Sequence, residues 1–118
     1  MVEGQKVSAI AMNHIKIYPN PNGRKEYYSN DLLHREDGPA IEYNDGSKEY
    51  WINGIQHRED GPAVEHETGT KEYWIVGKLH REDGPAIEYS DGDIEYYLCG
   101  KEYSYEEWLR LRKLIVFL

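Results

Sequence analysis

The chain has one cysteine, Cys99, so it cannot close an internal disulfide, and a reducing compartment suits it. It has no run near the ~20 consecutive apolar residues that a membrane span needs. The segment Val7-Ser8-Ala9-Ile10-Ala11-Met12 is too short and too weakly flanked for a signal peptide, so the expected location is the cytoplasm. No phosphate loop or dinucleotide fingerprint is present. Apolar residues make up 39% of the 118, low for a thick core. With one Phe and 3 Trp, the aromatic content rests on 11 Tyr, a side chain that buries its ring and keeps its hydroxyl wet.

Basic residues are scarce where the chain is most regular. The net charge is −8, but residues 26–95 carry 18 acidic against 6 basic side chains, a balance of −12. The flanks balance to +3 over residues 1–25 and +1 over 96–118. The acidic body makes nucleic acid and anionic membrane poor partners and a protein with a basic surface a better one. The same charge also keeps exposed β-structure soluble.

What is present is a repeat. His-Arg-Glu-Asp-Gly-Pro-Ala occurs at residues 34–40, 57–63 and 80–86, 23 residues apart. Gly23, Gly46, Gly69 and Gly92 keep the same step, as do Tyr27, Tyr50, Tyr73 and Tyr96, each after a Glu. A fixed period of this size predicts a stack of small, similar units. Between copies, short runs rich in Ile, Tyr and Trp alternate with Asp-Gly and Asn-Gly, the dipeptides of tight hairpin turns. Alternation places Tyr50 and Ile52 on one face, Glu49 and Trp51 on the other. Recurrence predicts ladders of Tyr over Tyr and Trp over Trp. The heptapeptide reads as the corner where each unit turns.

The arrangement Tyr50-Trp51-x-x-Gly54-x-x-His57 resembles a MORN repeat, which is also about 23 residues long. The resemblance covers residues 15–103 and is strongest to the divergent acidic form seen in phage, giant-virus and some bacterial proteins. It implies a repeat sheet and an interaction role. The acidic body argues against the phospholipid binding suggested for some MORN proteins.

The expected fold is mainly β: an antiparallel meander of hairpins in four 23-residue units, closed by a C-terminal α-helix. The chain reads as one domain, with residues 1–14 an N-terminal strand or cap, 15–103 the repeats and 104–118 the helix. Val7 to Tyr18 is expected to add a strand, followed by a longer turn at Pro19-Asn20-Pro21-Asn22-Gly23. Ser104 and Glu107 form a capping box, and Trp108, Leu111, Ile115 and Leu118 follow at helical spacing. A helix over about 105–116 is predicted, packing Trp108 on the last hairpin.

Metal and catalytic readings fare poorly. Equivalent atoms two strands apart lie ~9.6 Å from one another, so His34, His57 and His80 cannot share a zinc ion. Each is expected to bond a turn backbone or pack under an aromatic ring. A nucleophile needs one pre-organised partner set, whereas these acid–base groups come in three identical copies. The chain is therefore expected to be neither an enzyme nor a metal protein, and to need no cofactor.

Function is expected where the units differ. Asp31, Trp51, Glu67, Trp74, Asp91, Asp93 and Glu95 are the candidate partner-binding residues, carboxylates beside rings that could grip Arg and Lys. Ile115, Phe117 and Leu118 are candidate contacts for a partner or for a homodimer through the C-terminal helix; burial against the sheet is the other reading. The leading expectation is a module that binds a basic protein, in concrete form a phage or viral inhibitor of a host nucleic-acid-handling or CRISPR-type defence complex. An antitoxin or immunity module and a structural scaffold are the alternatives.

Overall fold

The computed structural model describes residues 12–19 and 21–114. Among the described residues, fourteen short strands precede one helix. They are β1 (Asn13–Tyr18), β2 (Arg24–Ser29), β3 (Leu32–Leu33), β4 (Ile41–Tyr43), β5 (Lys48–Glu49), β6 (Trp51–Ile52) and β7 (Ile55–Gln56). The second half repeats the scheme: β8 (Val64–Glu65), β9 (Lys71–Glu72), β10 (Trp74–Ile75), β11 (Lys78–Leu79), β12 (Ile87–Glu88), β13 (Ile94–Leu98), β14 (Lys101–Tyr103), then α1 (Tyr105–Leu111). The main sheet is antiparallel in the order β1-β2-β4-β5-β8-β9-β12-β13-β14, with β3 also on β2. The pairs β6-β7 and β10-β11 form separate two-stranded ladders.

Two sets of turns bound this sheet at opposite ends of its strands. At one end are the Asp-Gly and Thr-Gly turns, with Gly46, Gly69 and Gly92 at φ of 99°, 103° and 98°. At the other end Asn53-Gly54, Val76-Gly77 and Cys99-Gly100 place two successive residues at positive φ, the demand of a type I′ hairpin. Asn suits that conformation. Val76, at φ 46°, does not, because a β-branched side chain crowds the left-handed backbone.

The heptapeptide corrects the reading of it as a corner. The chain does not reverse there. His57 N–H donates to the Tyr50 carbonyl at 3.1 Å, and the Ala63 carbonyl accepts from Tyr50 N–H at 2.7 Å. On the other side Arg58 N–H bonds the Trp74 carbonyl and Ala63 N–H the Glu72 carbonyl. One strand therefore leaves the ladder after Arg58 and re-enters at Ala63, opposite a single tyrosine. The same bonds flank Tyr27 for residues 34–40 and Tyr73 for residues 80–86. Strand β1 shows the undetoured form: Ile15 pairs Tyr27 directly, between His14↔Tyr28 and Lys16↔Glu26. Spacing along the chain cannot tell a turn from a detour, because both break the alternation.

Ala40, Ala63 and Ala86 are 0% exposed where the detours rejoin, and Ile41, Val64 and Ile87 are buried beside them. With Leu98 and Trp108 these residues form the buried apolar core of the described residues, a thin one for a chain rich in Tyr.

Helix α1 closes the C-terminal end. Ser104 Oγ accepts from Glu107 N–H, and the Glu107 carboxylate accepts from Ser104 N–H, completing the expected capping box. Trp108 is buried with its ring 4.6 Å from that of Tyr96 and its Nε1–H on the Arg81 carbonyl at 2.9 Å. The helix is shorter than expected, ending at Leu111. Arg112 N–H still bonds the Trp108 carbonyl, but Leu114 N–H bonds Leu111, a tighter turn that stops the α-pattern. Residues 115–118, and the N-terminal segment before residue 12, lie outside the described residues. Among the described residues, no helix is long and apolar enough to cross a membrane.

Candidate functional site

Each heptapeptide is explained almost residue by residue. Arg58 folds back over the Tyr50 ring, 3.9 Å from its centroid. Its Nε–H donates to Asp60 Oδ1 at 2.9 Å, and its Nη1 reaches the Pro62 carbonyl at 3.0 Å and Glu65 Oε2 at 2.9 Å. Arg35 and Arg81 repeat the whole set over Tyr27 and Tyr73, again at 3.9 Å. Burial pulls the Arg58 guanidinium toward neutrality, but bonding to Asp60 and the field around it win and raise its pKa. The Asp60 carboxyl is held below its ordinary value by that same bond.

Glycine leaves room for this clip. A Cβ on Gly61 would stand 2.9 Å from Arg58 Cζ, and on Gly84 2.8 Å from Arg81 Cζ. The expected ladder of Tyr over Tyr is therefore not formed. Tyr27 and Tyr50 lie on β2 and the β5–β6 run with β4 between them, too far for ring contact, and each ring instead carries an arginine.

The histidines tie unit to unit. Nδ1 of His34, His57 and His80 accepts the N–H of Asn53, Val76 and Cys99, at 2.9, 2.9 and 2.8 Å. These are the positive-φ turn residues of the following unit, so the expected His–turn bond exists but crosses to a neighbour. With Nδ1 accepting, the ring proton sits on Nε2, which donates to Glu36, Glu59 and Glu82 at 3.2, 3.1 and 2.8 Å. Among the described residues, no group of three or more His, Cys, Asp or Glu is placed to hold a metal ion.

The opposite face carries a second ladder. Trp51 and Trp74 donate through Nε1 to Glu49 and Glu72, both at 2.9 Å, and Tyr28 and Tyr97 donate to Glu26 and Glu95. Tyr43 adds a bond to Glu49, and His66 one to Glu72. The hydrogen bond to Glu26, then burial, pushes the Tyr28 hydroxyl up to about 12. Burial, then the Glu49 bond, does the same for Tyr43. Glu26 is pushed up by burial, yet the Tyr28 and Arg24 bonds outweigh this and hold its carboxyl below the ordinary value.

The residues singled out from sequence do not converge. Asp31 sits at a hairpin tip at φ 64°, next to Asn30 at φ 51°. Glu67, Asp91 and Asp93 lie at the other end of the strands, in the Gly69 and Gly92 turns. There the Glu67 backbone N–H is held by Ser47 Oγ, and the Asp93 N–H by Asp91 Oδ1. Trp51, Trp74 and Glu95 are on the face between, committed to pairs within the chain. Ile115, Phe117 and Leu118 lie outside the described residues.

What sequence reasoning passed over is the row of detours itself. Glu36, Asp37, Glu59, Asp60 and Asp83 are 82–88% exposed on the outer side of the loops, and Glu82 is 46% exposed. Among the described residues, neighbouring loops wall two grooves, and β1 with the first loop walls another. The largest, about 740 Å³, lies between Arg58-Glu59-Asp60 and Arg81-Glu82-Asp83 over a floor of Tyr73 and Ile75. A second, about 570 Å³, has Tyr50 and Ile52 at its base, and a third, about 660 Å³, lies between β1 and the first loop. The signal lies in the sequence as the same two acidic residues in every copy, a constancy that a scaffold motif shows equally.

The chain matches no family model, no curated protein and no solved structure.

Proposed function

We propose that this protein is a non-enzymatic interaction module whose loop-bearing face binds a protein with a basic surface. The observation that carries the reading is the row of outward carboxylates, Glu36-Asp37, Glu59-Asp60 and Glu82-Asp83, repeated at a fixed step on one face. Within each loop the arginine already binds two carboxylates, an Asp and a strand Glu, and the outer glutamate is bonded by the histidine instead, so the loop carries excess negative charge. The MORN-like resemblance supports the same role, and a viral inhibitor of a nucleic-acid-handling host complex is the concrete form it favours.

The test is titration calorimetry at low ionic strength with lysozyme as a folded basic probe. Binding should weaken steeply with salt. A Glu36→Gln/Glu59→Gln/Glu82→Gln protein should lose most of it. An Asp31→Asn/Glu67→Gln/Asp91→Asn protein of equal net charge should keep it. Equal loss in both variants, or no binding by the parent chain, contradicts the reading.

A further inference from the structure

The three grooves share one spacing. Equivalent atoms in neighbouring units are two strands apart, ~9.6 Å. A polyproline-II chain advances ~3.1 Å per residue with three residues per turn, so every third side chain lies on one face, ~9.3 Å from the last, whereas a β-extended chain would turn residues i and i+3 to opposite faces. A helix advancing ~1.5 Å per residue meets the step only near seven residues and overshoots by roughly an ångström each time.

The grooves also have the right walls and floor for a long cationic side chain. Tyr50 and Ile52, or Tyr73 and Ile75, would take the methylene stem in two grooves; in the groove beside β1, where Ser29 replaces the isoleucine, Tyr27 and Ile15 would do so. The charged head would then reach Glu59, which within the chain is held by His57 rather than by an arginine. Glu36 and Glu82 stand in the same relation to His34 and His80.

Resting on the reading of this face as a docking surface for a basic protein, we infer that its ligand is a polypeptide segment in the polyproline-II conformation with Arg or Lys at every third residue. Successive cations enter successive grooves, so three of them, at i, i+3 and i+6, fill the row.

Three fluorescent nonapeptides test this, each of three Arg and six Pro: Arg at every third position, Arg at every second, and Arg contiguous. Composition and charge are identical. By anisotropy at low ionic strength, the first should bind the full chain roughly tenfold more tightly than the others, about the sum of two or three exposed ion pairs. The Glu36→Gln/Glu59→Gln/Glu82→Gln variant should bind all three peptides alike. Gln keeps an acceptor for each histidine, so circular dichroism should not change. Equal affinities of the parent chain for all three peptides overturn the register while leaving the basic-partner reading standing. Failure of every peptide while lysozyme still binds overturns the polyproline-II inference alone.

Discussion

The Arg58 guanidinium lies 3.9 Å from the centre of the Tyr50 ring, and its fork holds Asp60, the Pro62 carbonyl and Glu65 at once. Four contacts from one side chain close a detour that otherwise has few internal bonds. Replacing Arg58 by Ala should cost about 2–3 kcal/mol, from the stacking on Tyr50 and the charge-assisted bonds together. Arg58→Lys should recover less than half, since an ammonium cannot reproduce the planar fork. Urea unfolding of the two variants measures both.

Val76 occupies the first central position of its hairpin at φ 46° and is 57% exposed. Asn53 fills the matching place one unit earlier. Val76→Asn should therefore stabilise the protein by about 1 kcal/mol, relieving left-handed strain with little packing to lose. A rise in thermal midpoint checks it.

Trp108 covers the terminal tyrosine of the stack, Tyr96, where the earlier tyrosines carry an arginine. Trp108→Ala should cost about 3–5 kcal/mol. It should also leave the β13 end open to association, seen as larger species in size-exclusion chromatography. Trp108→Phe keeps a ring on Tyr96 but loses the bond to the Arg81 carbonyl, and should cost about 1 kcal/mol.

Stability should fall at both ends of the pH scale, for different reasons. Tyr28 and Tyr43 have folded-state pKa values raised to about 12 from 10.0. A raised value favours the protonated form, so this stabilisation is complete below pH 10 and is lost as pH rises toward 12. Glu26 and Asp60 are lowered from 4.5 and 3.8, so their contribution is present above those values and is lost as pH falls through the folded-state values. Tyrosinate absorbance and urea midpoints across pH follow the two limbs.

Much of the architecture could be read in advance, and the parts that could not share a cause. The Asp-Gly and Asn-Gly pairs, the Glu49/Trp51 face and the Ser104–Glu107 box are local signals, each with a local mechanism. The detour at residues 58–62 is non-local: it shows only when His57 and Ala63 are seen to flank Tyr50. The same holds for the site. Asp31 and Asp91 both read as acidic turn residues, yet they sit in turns at opposite ends of the strands. Glu59, constant in the motif, stands on the exposed ridge.

Amide hydrogen exchange by NMR tests most directly the claim that each heptapeptide is a clipped detour within one strand. His57, Arg58 and Ala63 bond the ladder and should exchange slowly, while Glu59, Asp60 and Gly61 between them should exchange fast. Residues 34–40 and 80–86 should repeat the pattern. Unbroken protection from His57 to Ala63, or fast exchange at Ala63 with its neighbours, would contradict it.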